Sequence, residues 1–479
     1  MTDWLDIAAF MAFFAVLAWA AFRRARTPRQ FLVADRAVTL FPLVATLVMT
    51  EFNTSTLIAF SAVGYSAGPM ALALPLVFLV GLAFYTATVA RAWKRFNRVS
   101  VAELFASRYS PALGRFAAGM LLLAMTGFCA TYVKSLSLIF QPLAPDVPSW
   151  LLGASFAAIV AGVVIPGGLL SVVRGDVVSF VTTLLMLPLI LIIGLRHSSL
   201  RGGLETIFPA DQRFVDPVGQ WAHPALPFWF VTTLVVLTCF TYIAAPWYGQ
   251  KIFAAKNERT AFAAVAWSSV LVFVLYGATV LAAAHYRVVT PDLADPQLVV
   301  PMMIDDWLPA GLRGVGYAVL FAAAVTTLGG VWTAMAAMVA VDFGWSPGGT
   351  VRTQRLVITT LAALSWLGAT FLVEDILSRL ILANIPVAAL SFALLAGFHW
   401  PRATARGAWA SVIVGMLWGI GSFVAIGEEG GYTWTWAMYG IPLIFASGIT
   451  VSLCDGLYDP FSATRNGTAI RGAQGDHLP

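Results

Sequence analysis

Long apolar runs recur from one end of this chain to the other, and no other feature limits its folding as severely. Each is close to the roughly 20 residues that a helix needs to cross a hydrocarbon core about 30 Å thick. Composition agrees, since 59% of the 479 residues are hydrophobic and 11% are charged, against about 25% charged in soluble proteins. In hydrocarbon the backbone must satisfy its own hydrogen bonds, which leaves helices or a closed barrel, and runs of this length read as helices. They lie near 3–22, 38–61, 69–90, 112–140, 149–170, 177–195, 226–248, 260–285, 311–340, 354–373, 377–398, 406–426 and 434–454. The expected fold class is an all-α polytopic membrane protein with about 13 transmembrane helices. Its transmembrane domain spans 1–455, and the polar, glycine-containing segment 456–479 reads as a disordered tail. The first run lacks a basic leader and a small-residue cleavage site, so it reads as a span rather than a signal.

The net charge of +5 does not point to nucleic acid, because the basic residues are scattered singly and form no patch interleaved with aromatics. Topology explains them better. With the N-terminus outside, the inward connections hold Arg23, Arg24, Arg26, Arg29, Arg36, Arg91, Lys94, Arg95, Arg98, Arg108 and Arg115, then Arg174, Lys251, Lys256, Arg259, Arg352, Arg355, Arg402 and Arg406, with Arg465 and Arg471 in the tail. About 21 of the 28 basic residues then lie inside and about 6 outside, as the positive-inside rule requires. The chain is therefore expected in a bacterial inner membrane, N-terminus out and C-terminus cytoplasmic. Cys129, Cys239 and Cys454 are far apart and show neither metal-ligand nor disulfide spacing. No H-E-x-x-H, G-x-S-x-G or clustered histidines suggest an enzyme, and no filter motif suggests a channel.

Polar residues inside apolar spans are costly, and by default they mark function. The second run contains Thr50-Glu51-Phe52-Asn53-Thr54-Ser55-Thr56, which a continuous lipid-facing helix would not carry. Glu51 either adds its charge to a bound cation, carries a proton, or pairs with a lysine. Lys134 in the fourth run pairs with Glu51, receives an anionic group of a solute, or snorkels to the surface. Asp176, read from its position alone, is a carboxylate favoured at a helix N-terminus.

Several short patterns occur in an order that matches one known family of membrane proteins. Phe31-Leu32-Val33-Ala34-Asp35-Arg36 follows the first span, and Gly64-Tyr65-Ser66-Ala67-Gly68 ends the second. Ser100-Val101-Ala102-Glu103 with Arg108-Tyr109 is similar to the family's T-x-x-E-x-x-x-x-R-Y stretch. Gly167-Gly168-Leu169-Leu170-Ser171-Val172-Val173-Arg174-Gly175-Asp176 keeps the G-G-L-x-A-V-x-x-T-D spacing, with serine and glycine at two positions. Further matches are Pro246 with Gln250-Lys251 and Ala254-Ala255-Lys256, Leu308-Pro309 with Gly311-Leu312-Arg313-Gly314, Ala322-Ala323-Ala324-Val325-Thr326-Thr327 with Asp342, and Gly407-Ala408 with Gly415.

Together these patterns resemble the sodium/solute symporter family; the resemblance covers residues 31–415 and implies a LeuT-type core of two inverted five-helix repeats, 38–196 and 226–398, with one helix before and two after. It implies alternating-access symport of a small organic solute with Na+, substrate and ion meeting at mid-membrane where the first helix of each repeat is unwound. H+ coupling through Glu51 and a transporter-like sensor are the alternatives. By the family pattern, the carbonyls of Met49, Phe52 and Ala323 and the hydroxyls of Thr326 and Thr327 form the Na+ site, with Glu51 and Asp176 on the cation pathway. Thr326 and Thr327 stand where the family usually has serine, and each could instead bond back to its own helix. The expected solute site is Asn53, Ser55, Thr56 and Lys134 with Thr238, Thr241 and Tyr242. Its small polar groups favour an amino acid or small carboxylate over a sugar. The partners expected are this solute and the lipid bilayer, with oligomeric state open.

Overall fold

The computed structural model describes residues 3–22, 25–197, 226–344, 351–428 and 431–458. Arg23, Arg24 and the expected tail beyond residue 458 lie outside the described residues. In chain order the main helices are α1 (Trp4–Ala21), α2 (Leu40–Glu51), α3 (Thr54–Ala67), α4 (Ala73–Thr88), α5 (Pro111–Phe140), α6 (Ser149–Val164), α7 (Leu169–His197), α8 (Phe228–Tyr242), α9 (Pro246–Ala254), α10 (Glu258–Val289), α11 (Leu312–Asp342), α12 (Val351–Phe371), α13 (Ile376–His399), α14 (Ala405–Ile426) and α15 (Ile441–Tyr458). Among the described residues no strand occurs beyond one isolated parallel bridge, Val38 to Ala255.

Every expected run contains helix, but among the described residues length and composition single out nine helices able to cross a membrane, ten when the bent pair α8–α9 counts as one span. The count of thirteen is not reached on that measure for physical reasons. The run at 38–61 is interrupted, α6 has 16 residues, and α12 begins with Arg352, Gln354 and Arg355.

The core is built around α11, buried along nearly its whole length and packed against α1, α2, α5, α7 and α12. A second spine, α10, packs against α2, α3, α4 and α7. Around these the outer helices turn large apolar side chains outward: Trp19 is 80% exposed and Val424 77%. Such surface is a liability in water and a fit to lipid. On α1 the buried Asp6 carboxylate accepts from the backbone N–H groups of Gly311 (2.7 Å) and Gly314 (3.2 Å) and pairs with Arg313 at 3.3 Å. A Cβ on Gly314 would stand 2.0 Å from the Asp6 carbonyl oxygen, so glycine there lets α1 approach.

Two helices are broken where the functional residues collect. Between α2 and α3 the chain leaves helical geometry at Phe52 and Asn53, because asparagine and threonine side chains compete for backbone partners. Asn53 Oδ1 accepts from Thr56 N at 2.8 Å, capping α3, while its Nδ2 donates to the Glu51 carbonyl at 3.0 Å. Between α8 and α9 the axis bends by 47°. There Pro246 opens α9 at a position whose missing N–H costs nothing. The two interrupted helices are strapped together: Val38 N donates to the Ala254 carbonyl (3.0 Å) and Lys256 N to the Val38 carbonyl (2.9 Å).

Candidate functional site

A helix that stops leaves its last carbonyls without intrahelical partners. At the end of α2 the carbonyl of Met49 is such a group, and α11 meets it there. Thr327 Oγ1 donates to the Met49 carbonyl at 2.9 Å, while Thr326 Oγ1 lies 3.5 Å from it and 3.0 Å from the Ala323 carbonyl. Met49, Ala323, Thr326 and Thr327 thus come together, all buried. Phe52 completes the turn, its ring 4.9 Å from that of Tyr276. Such carbonyls and hydroxyls are hard oxygen ligands suited to an alkali cation.

Tyr276 on α10 holds the break open. Its hydroxyl donates to the Glu51 carbonyl (2.5 Å) and accepts from Asn53 N (3.1 Å), satisfying both sides of the interruption. The Glu51 carboxylate accepts from the Tyr242 hydroxyl and from Trp247 Nε1 at 3.2 Å. Glu51 makes no ion pair among the described residues, so of the alternatives left open for it, the pairing with Lys134 is not the one seen.

Beside the breaks lies a cavity with about 800 Å3 of space between atoms, part of it open to solvent. Glu51, Asn53, Thr56, Thr238, Thr241, Tyr242, Trp247 and Asn384 supply its polar lining, and Phe60, Phe78, Phe128 and Tyr132 its aromatic walls. Of these lining residues, Thr241 has a buried hydroxyl with no hydrogen-bond partner among the described residues. Ser55 instead turns to α5, where it bonds Ser135 (3.1 Å) and Thr131 (3.4 Å). Lys134 is half-buried and outside the lining.

Two sequence expectations are corrected. Asp176 does not start a helix, since α7 begins at Leu169, so a helix-terminus role falls away. Lys251, counted among the loop lysines, is 1% exposed and pairs with the fully buried Asp176 at 3.1 Å. Residues missed in the sequence are Lys251, Trp247, Tyr276 and Asn384. Asn384 carried a signal, being polar in mid-run before Pro386; Tyr276 carried none, since aromatics are common in apolar helices.

Comparison with known proteins agrees with this architecture. Residues 31–415 match the Sodium:solute symporter family. A sodium/pantothenate symporter of Escherichia coli (strain K12) is 27% identical over 406 residues, covering 81% of this chain and 82% of the relative. That of Haemophilus influenzae is 23% identical over 420 residues, covering 84% of each. Among solved structures, a substrate-bound, outward-open sodium-coupled sialic acid symporter superposes with a TM-score of 0.79 at 17% identity, over 95% of this chain and 98% of that one. A nucleobase-cation-symport-1 family transporter in a closed conformation gives 0.61 at 13% identity, over 94% and 100%.

Proposed function

The chain belongs to the sodium:solute symporter family, and from that premise we propose that it couples Na+ to uptake of a small, partly apolar solute with an ammonium or other donor group at its head. An amino acid fits first. The observation that carries this reading is the Glu51 carboxylate, which borders the cavity with two neutral donors bound and acceptor capacity to spare. The unpartnered Thr241 hydroxyl supplies a further contact, and the N-terminal end of α3 suits a carboxylate, as half-helices do in transporters of this architecture. The aromatic walls favour methyl and methylene groups over the many hydroxyls of a sugar. A small carboxylate that also carries amide or hydroxyl donors, such as pantothenate, is the second reading, favoured by the names of the two bacterial relatives.

In this reading Na+ binds to the carbonyls of Met49, Phe52 and Ala323 and the hydroxyls of Thr326 and Thr327. Solute closes over it from the cavity side, and Asp176 lies on the ion's route away. The repeats are 38–196 and 226–398, with the N-terminus outside. Proteoliposomes under an imposed Na+ gradient test this directly. Concentrative uptake of labelled amino acids or pantothenate, abolished when choline replaces Na+ and weakened in Glu51→Gln, is expected. Accumulation driven by a pH gradient alone would put Glu51 in the role of proton carrier instead.

A further inference from the structure

One buried charge has no task in that scheme. Lys251, on α9, sets its ammonium against three oxygens: the Thr46 carbonyl at 2.8 Å, the Thr50 hydroxyl, and Asp176 Oδ2 at 3.1 Å. Thr46 Oγ1 donates to the same carboxylate oxygen. A carbonyl, a hydroxyl and a carboxylate form the kind of oxygen shell that an alkali cation takes in place of water. Asp176 Oδ1, fully buried, has no hydrogen-bond partner among the described residues, so this carboxylate has acceptor capacity left for an ion.

The cage adjoins the proposed sodium site. Thr50 follows Met49 in the chain, and Gly330 lies one helical turn beyond Thr327 on α11. A Cβ added at Gly330 would stand 3.3 Å from Lys251 Nζ and 3.4 Å from its Cε, so the glycine keeps space that the lysine end fills. The helix that delivers Lys251 also delivers Trp247, one turn earlier, to Glu51 at the solute cavity.

We propose that the Lys251 ammonium is a tethered resident cation in what would otherwise be a second alkali-cation site at Asp176, so that the transporter binds one Na+ per chain. One carboxylate in a low-dielectric core neutralises one positive charge, and two cations sharing it repel strongly. With the lysine in place, a mobile ion passes this point only as Lys251 swings away with α9. The inference rests on the sodium reading for the neighbouring site, but the Asp176 cage is defined by its own contacts.

The test is equilibrium binding of radioactive Na+ to the purified full-length chain in detergent, with choline holding ionic strength constant. The wild type is expected to bind about one Na+, Lys251→Met about two, and Lys251→Met with Asp176→Asn about one again. Lys251→Gln, which keeps a donor for the Thr46 carbonyl, repeats the measurement if the methionine variant fails to fold. Two ions on the wild type, or one on a folded Lys251→Met and Lys251→Gln, overturns the proposal. Thr326→Ala with Thr327→Ala separates the two sites: it removes the wild-type ion if the first site is correctly placed, and leaves the ion gained by Lys251→Met in either case.

Discussion

Among the described residues, two of the buried carboxylates, Asp176 and Glu51, are treated in opposite ways. Asp176 meets a lysine within 3.1 Å, whereas Glu51 meets only the neutral Tyr242 and Trp247. The first is neutralised by the protein itself. The second has neutral donors for partners and borders the cavity. A buried ion pair is weak evidence for stability but strong evidence that removing one partner will hurt, while a carboxylate held by neutral donors can lose its charge at less structural cost.

The largest effect should follow from splitting the Asp176–Lys251 pair. In choline, Lys251→Met is expected to lower stability by about 3–5 kcal/mol, and Asp176→Asn by a similar amount, as read by thermal unfolding in detergent. Na+ should restore much of the loss in Lys251→Met and none of it in Asp176→Asn, and the double variant should be near wild type. Equal sodium rescue of both single variants would erase the distinction between the two carboxylates.

Glu51→Gln sharpens the same contrast. It preserves shape and one acceptor oxygen, so unfolding should shift by only about 1 kcal/mol, yet solute uptake should fall at least about tenfold. A large stability loss with normal affinity in the surviving protein would make Glu51 structural. Smaller again are the hydroxyls on α11. Thr327, 2.9 Å from the Met49 carbonyl, should matter more than Thr326 at 3.5 Å. Thr327→Ala is expected to raise the Na+ concentration for half-maximal uptake roughly tenfold, with a smaller rise for Thr326→Ala.

The mildest test uses a lysine without a carboxylate. Lys94 lies between spans and donates to Asn97 Oδ1 at 3.0 Å and the Phe253 carbonyl at 2.9 Å. Burial, with the nearby Arg36 charge, lowers its pKa from 10.5 to about 8. Between those values the unfolded chain holds a proton that the folded chain has released, so this group makes stability rise with pH across that window. The rise should be present in wild type and absent in Lys94→Met when the two unfolding profiles are subtracted.

Much of this architecture is legible in the order of the residues. Apolar run length dictates the fold class, and the polar stretch from Thr50 to Thr56 marks the first break, because no lipid-facing helix tolerates it. The second break is less visible, since Pro246 falls among small and aromatic residues. Lys251 is misread because a lysine near a span end looks like a loop residue; its burial depends on Asp176, distant in sequence, and on the space left by Gly330. Ser55 looks like its neighbours, but helix geometry turns it toward α5.

The short backbone strap between Val38 and the Ala254–Lys256 turn has a mechanical meaning. It ties the first residues before α2 to the last of α9, and Lys251 ties the same pair of half-helices again through Thr46 and Thr50. Two fastenings at different heights turn two struts into one lever. A brace of this kind resists movement of either half-helix without the other.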